Sequence, residues 1–216
     1  MRTDNVRRLG GMLSAGAITT VPIALAAPAA AQQQEAEVGV SKQRLQVRAG
    51  SRALVTGRVQ PASAGTRVAL QVRRGSGWKT LRRDTTGAGG RYVLRKRLGA
   101  PVSAPARLHV SGAPGGTTRR SLGRINVFRS AYASWYGPGF YGQRTGCGGT
   151  LRPGELGVAN KSLPCGSKVT FRHNGRTVRV PVIDRGPYVG AREYDLTEAT
   201  ADRLGFRGHG SILTTH

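Results

Sequence analysis

The feature that most constrains this chain is a rhythm: apolar residues fall at every second position, in runs too short for helices. Leu45 and Val47 alternate with Gln46 and Arg48, and Val68, Leu70 and Val72 alternate with Arg67, Ala69, Gln71 and Arg73. The pattern returns at Tyr92 and Leu94, at Leu108 and Val110, and at Ile125 and Val127. Gly, Pro, Ser and Thr separate the runs at intervals of roughly ten residues, the signature of short antiparallel strands. Successive strand side chains point to opposite faces, so each run offers one apolar face that a second sheet must cover. The expected result over residues 44–129 is an antiparallel β-sandwich, with Gly87-Ala88-Gly89-Gly90 as a hairpin turn and Trp78 in the core.

Other classes are excluded by composition. Aromatic residues make up 6% of the 216 residues and glycines number 32, which argues against a helix bundle with a dense core. Beyond the amino terminus no run of 18 strongly apolar residues occurs, so a polytopic membrane protein is excluded. The amino terminus itself has the order of a secretory signal. Arg2, Arg7 and Arg8 precede a small, apolar stretch from Leu9 to Ala27, then Ala29-Ala30-Ala31 and Gln32-Gln33-Gln34. The expectation is a signal peptide over 1–31, cleaved after Ala31, and a linker over 32–43. A signal anchor is the weaker alternative, because Thr19, Thr20 and Pro22 interrupt the stretch. Arg7-Arg8 leaves a twin-arginine route open. With no cysteine near the cleavage point, the expected protein is secreted into the bacterial cell envelope without a lipid anchor and without a transmembrane segment.

Charge is distributed unevenly. Lys and Arg total 34 against 10 Asp and Glu, a net charge of +24. Residues 32–129 hold 20 basic and 3 acidic residues, whereas residues 130–216 hold 11 and 6. The first segment resembles a bacterial immunoglobulin-like domain whose outward positions are often Arg. Its expected partners are anionic wall polymers; the alternative is arginine that merely solubilises. Nucleic acid is not expected, since no recognition helix or basic-aromatic motif accompanies the charge.

The second segment carries the specific motifs. Ala133-Ser134-Trp135-Tyr136-Gly137 is followed by Gly142-Gln143-Arg144-Thr145, then by Gly157-Val158-Ala159-Asn160-Lys161-Ser162-Leu163-Pro164-Cys165-Gly166. Val182-Ile183-Asp184-Arg185-Gly186-Pro187-Tyr188 and Tyr194-Asp195-Leu196-Thr197 complete the series. In this order and spacing they resemble the rare lipoprotein A (RlpA) family over residues 131–216. The resemblance implies a six-stranded double-psi β-barrel, related in fold to expansins and to one class of lytic transglycosylases. The whole is then expected to be all-β: an immunoglobulin-like sandwich followed by this barrel with one short helix. Local chemistry agrees. Val169 and Phe171, then Val178 and Val180, alternate around an Asn174-Gly175 hairpin turn. Thr197 is placed to cap a helix running through Leu204, with Glu198 in its first turn and Gly205 ending it.

The resemblance further implies binding or cleavage of peptidoglycan glycan strands. Family members that cleave use the muramic acid C6 hydroxyl to displace the neighbouring sugar, leaving a 1,6-anhydro end. No water is consumed, so one acid/base carboxyl serves both half-steps, unlike the paired carboxylates of ordinary glycosidases. Asp184 matches the family's essential aspartate and is the candidate catalytic residue; its alternative is an aspartate that pairs with Arg185 or caps the turn. Two positions depart from the family pattern. Gly149 stands where the family has a glutamate, and Asn160 where it has a histidine. Glu155 is the nearest carboxyl that could substitute if its loop folds inward. Thr145, Asp184 and Asp195 match the groove triad of expansins, which loosen polysaccharide without hydrolysis. Non-catalytic wall binding or loosening is therefore the alternative function. Thr145, Asp195, Tyr136, Asn160 and Arg185 are the candidate substrate contacts, and Asp195 has a helix-capping alternative. Trp135, Tyr136 and Tyr188 could stack on sugars, Trp135 being expected in the core.

Cys147 and Cys165, the only cysteines, read as a disulfide in an exported protein. It would close a loop of 18 residues, worth roughly 3 kcal/mol by chain entropy. His109, His173, His209 and His216 lack metal-ligand spacing, so neither metal nor cofactor is expected, and the chain is expected to be monomeric.

Overall fold

The computed structural model describes residues 36–216; the expected signal peptide lies outside them. Its strands are β1 (Glu37–Arg44), β2 (Gln46–Arg48), β3 (Arg52–Gln60), β4 (Arg67–Arg74), β5 (Gly77–Thr85), β6 (Arg91–Arg97) and β7 (Val102–Ala113). There follow β8 (Gly116–Tyr136), β9 (Val158–Asn160), β10 (Lys168–His173), β11 (Arg176–Asp184), β12 (Tyr194–Thr197), helix α1 (Glu198–Leu204) and β13 (Gly210–Thr214).

The amino-terminal lobe follows from the alternation. One antiparallel sheet runs β1-β3-β6 and a second runs β8-β7-β4-β5, with β2 beside β8. Val38, Val55, Tyr92 and Leu94 of the first share a buried cluster with Leu70, Leu108, Val110 and Ile125 of the second. Burying each such side chain stabilises by about 1.5–3 kcal/mol. Tyr92 reaches across its own sheet to donate to the Gly39 carbonyl at 2.8 Å, and burial pushes its phenol up to about 12.

Three expectations for this lobe are corrected. Gly87–Gly90 is not a hairpin turn: β5 pairs with β4 and β6 with β3, so the turn carries the chain from one sheet to the other. The alternation places Tyr92 and Leu94 inward but does not say in which sheet. Trp78 is only half-buried, because β5 is an edge strand; the Arg107 guanidinium lies 3.9 Å from its ring centroid. Finally, β1 occupies most of the stretch expected as a linker, since Val38 has a core to enter.

Strand β8 joins the two lobes without interruption. It pairs with β7 as far as Val127, and from Arg129 onward with β13. Its last residues, Ala133 to Tyr136, run parallel to β12. Beyond this point six strands close into a ring, β8-β12-β9-β11-β10-β13 and back to β8. Two pairs in the ring are parallel, β8 with β12 and β9 with β11. Inside lie Val180, Val182, Leu196 and Ile212, with Phe171 and Tyr194 edge to face at 5.0 Å. The β10–β11 hairpin turns at Asn174 (φ 46°) and Gly175 (φ 83°), the left-handed pair of a type I′ turn. Helix α1 starts where the Thr197 side chain accepts the Thr200 N–H, carries Glu198 in its first turn and ends at Gly205. Its Leu204 closes one side of the barrel core.

Candidate active site

Two aspartates reach one groove because of strand register. Asp184 ends β11 and Asp195 lies on β12; both are backbone partners of Ala159 on β9, which runs between them. Two inter-strand spacings put their Cα atoms about 10 Å apart. The small Ala159 side chain between them leaves the floor open. The groove encloses about 680 Å³ and is lined by both carboxylates, Thr145, Trp135 and Tyr136. Phe140, Tyr188 and Val189 form an exposed apolar rim, with Tyr188 76% accessible.

Asp184 is anchored from the facing loop. Its Oδ1 accepts the Gly146 N–H at 2.6 Å and the Arg185 N–H at 2.7 Å. This is the turn-capping geometry, yet the same side chain lines the groove, so capping and exposure to a ligand coexist. Gly146 is required by close approach: a Cβ there would lie 2.7 Å from Arg185 Cγ. The loop is closed by Thr145, whose Oγ1 accepts the Gly149 N–H at 3.1 Å.

Asp195 is half-buried and held by a relay. Arg192 donates to the Val189 carbonyl at 3.1 Å and to Ser134 Oγ at 2.9 Å, and Ser134 donates to Asp195 Oδ1 at 2.7 Å. Burial raises the Asp195 carboxyl above its ordinary 3.8; Ser134 and Arg192 oppose that rise, and the Asp184 charge adds to it. The result is a carboxyl that keeps its proton to higher pH than a solvated one. The Tyr136 hydroxyl is buried with no hydrogen-bond partner among the described residues. Burial first, and the Asp184 carboxylate second, hold this phenol protonated.

Several candidate residues stand elsewhere. Asn160 is buried, and its amide is spent on the backbone: Nδ2 donates to the Glu193 carbonyl, and Oδ1 accepts from Ser162 and Leu163. It fixes a turn and does not line the groove. Arg185 borders the groove, but its guanidinium points away, donating to the Asn160 and Leu163 carbonyls and to Cys165 Sγ. Arg144 and Arg192 also line the groove, and of these Arg192, which nothing in its sequence setting distinguishes from a solvated arginine, reaches the Asp195 relay. Ser134 was equally missed, although its register opposite Asp195 is what recruits it. Trp135, expected in the core, is half-buried on the groove wall. Glu155 takes the Arg152 N–H on its own loop and lines a separate depression with Gly148 and Gly154. Among the described residues no third carboxyl lines the groove.

Cys147 and Cys165 form a disulfide with Cα atoms 5.7 Å apart. It ties the loop that holds Asp184 to the turn gripped by Arg185. Among the described residues no cluster of His, Cys, Asp and Glu is arranged to hold a metal ion.

Residues 129–215 match the family described as "Lytic transglycolase". This part of the chain is an RlpA-like double-psi β-barrel. It is similar to "Probable endolytic peptidoglycan transglycosylase RlpA" of Synechocystis, 38% identical over 122 residues, 54% of this chain and 37% of that protein. "Endolytic peptidoglycan transglycosylase RlpA" of Neisseria meningitidis serogroup B (strain MC58) is 34% identical over 143 residues, 61% of this chain and 60% of that one. Its Campylobacter jejuni namesake is 43% identical over 81 residues, 37% and 30%. The chain thus spans less than two thirds of each of these relatives. A solved structure, Streptomyces papain inhibitor (SPI), aligns with 40% of this chain and 90% of its own at a TM-score of 0.33 and 25% identity. The loop carrying Gly149 is the one whose Gly146 N–H donates to Asp184, and Gly149 itself lines the separate depression beside Glu155.

Proposed function

We propose that the protein acts in the bacterial cell envelope, cleaving peptidoglycan glycan strands as a lytic transglycosylase through the barrel groove. The names of its relatives support the reaction class. The observation in the molecule that carries it is the pair of aspartates flanking β9 and lining one groove, Asp184 and Asp195. Asp184 is the acid/base. Its Oδ1 is committed to the loop, so proton exchange falls to Oδ2. In the first half-step the carboxyl gives its proton to the glycosidic oxygen as the C1–O bond breaks. In the second it accepts the proton of the muramic C6 hydroxyl as that oxygen bonds to C1. Asp195 supplies the second carboxyl, Tyr136 a protonated hydroxyl donor, and the Trp135, Phe140 and Tyr188 rings a stacking wall for sugars.

A second reading has its own support. Among the described residues the groove contains Asp184, Asp195 and Thr145 but no third carboxyl, and the resemblance puts Gly149 at the family's glutamate position. That is the arrangement of a non-catalytic, expansin-like loosening module. Digesting purified sacculi, intact and stripped of stem peptides, separates the two. Mass spectrometry should find 1,6-anhydro-muramic ends with wild type and a drop of about 100-fold or more with Asp184→Asn. If neither protein produces such ends while both sediment with sacculi, the loosening reading replaces the enzymatic one.

A further inference from the structure

Strand register concentrates arginine on the outer face of the β1-β3-β6 sheet. Arg52 stands directly opposite Arg97, and Arg58 directly opposite Arg91. Cross-strand side chains in such positions have Cβ atoms about 5 Å apart, and like charges there repel. Lys42, Arg44 and Arg95 share this face, since Leu54 pairs with both Arg44 and Arg95 and Thr56 with Lys42. Arginine that only keeps a protein soluble needs no such opposition.

The repulsion has no internal remedy. Among the described residues the two salt bridges are Arg129–Glu193 and Arg207–Asp202, and neither involves this face. Glu37 stands on β1 opposite Gln60, at the far end of the sheet from Arg52 and Arg97, and Asp84 takes the Val93 N–H on its Oδ2. At one end of the sheet Arg44, Arg48, Arg52 and Arg97 surround a cleft of about 550 Å³, more room than one phosphate fills. A second cleft, of about 260 Å³, continues from it, sharing Arg44 and Arg52 and adding Lys42 and Arg95.

We propose that these joined clefts bind a linear phosphodiester polyanion, a polyol-phosphate polymer of the cell envelope, through Arg44, Arg48, Arg52, Arg95 and Arg97. Guanidinium forks match phosphate oxygens in pairs, a geometry that the point charge of a lysine ammonium does not offer. Arg95 and Arg97 lie about 7 Å apart along β6, a repeat suited to successive charges on an extended chain. Neither cleft has an aromatic lining residue, so there is no platform for stacking nucleic-acid bases. The site is independent of the barrel groove and of the chemistry proposed for it.

The test measures binding of lipid-free poly(glycerol phosphate), poly-glutamate and a single-stranded oligonucleotide of matched charge, all at about 0.1 M salt. Poly(glycerol phosphate) should bind tightest and raise the melting temperature of the wild type. Arg52→Ser with Arg97→Ser should weaken it by about tenfold or more; Arg82→Ser with Arg83→Ser, an equal charge loss on β5, by less than about threefold. Asp184→Asn should bind as wild type. If the first double variant does not fold, Arg52→Lys with Arg97→Lys carries the test, because it keeps the charge and removes the forks; wild-type affinity in it overturns the proposal. Equal losses from the two serine double variants would reduce the site to net charge. Equal affinity for poly-glutamate would remove the phosphate preference, and tighter oligonucleotide binding would reassign the surface.

Discussion

The two lobes use arginine in opposite ways. In the barrel, Arg129 pairs with Glu193 at 2.6 Å, Arg185 spans two carbonyls and a disulfide sulfur, and Arg192 orients Ser134 toward Asp195. Each is tied to a particular partner because carboxylates and free carbonyls lie within its reach. In the amino-terminal lobe acids are scarce, and the arginines of the three-stranded sheet face one another. The same residue type thus fastens loops in the barrel and leaves one sheet of the amino-terminal lobe charged, while Arg107 and Arg124 on the other sheet are held by Gln71 and Ser103. What decides between them is the supply of acceptors nearby.

That contrast should hold up to substitution. The largest stability effects should come from the two cores: Leu108→Ala and Leu196→Ala should each cost about 2–5 kcal/mol. If β8 couples the lobes, either variant shifts a single melting transition; two separated transitions would show independent folding. Removing the disulfide with Cys147→Ser and Cys165→Ser should cost roughly 3 kcal/mol, or about 6–12 °C in melting temperature. A pH series on Asp195→Asn probes the buried carboxyl. Because its folded pKa lies above the unfolded value, wild type is favoured below the unfolded pKa and loses that advantage as pH rises through the folded one. The substitution should therefore be more favourable at pH 7 than at pH 4, by about 1 kcal/mol or less; an effect of the opposite sign would mean that the Ser134 and Arg192 relay outweighs burial. Smallest of all, Arg129→Ala should cost about 0.2–1 kcal/mol, and Arg82→Ala on β5 less. Thermal melts at two salt concentrations distinguish the ion pair from the solvated arginine.

Local chemistry was legible where a short stretch decides its own structure. Asn174-Gly175 fixes its hairpin, and Thr197 with Gly205 sets both ends of the only α-helix among the described residues. The place of Asp184 on the groove was legible because its motif ends a strand at a turn. The roles of Arg185 and Arg192 were not. Each is a long side chain whose direction depends on which carbonyl or hydroxyl a distant strand brings near, and the sequence around them is equally polar. Asn160 misled for a related reason: in place of the family's histidine it suggests a ligand contact, but its short amide satisfies three backbone groups of its own turn and its neighbour. The turn at Gly87–Gly90 announced a reversal without saying which sheet the chain would enter.

Strand β8 serves both lobes without a break. Where two modules are joined by a flexible tether, one can grip a polymer while the other searches a sphere set by the tether's length. Here the joint is a hydrogen-bonded beam, held laterally by β7 on one side of residue 128 and by β13 on the other. The groove is consequently carried at a set bearing from the β8-β7-β4-β5 sheet, and tension applied to that sheet reaches Tyr136 along a single run of backbone.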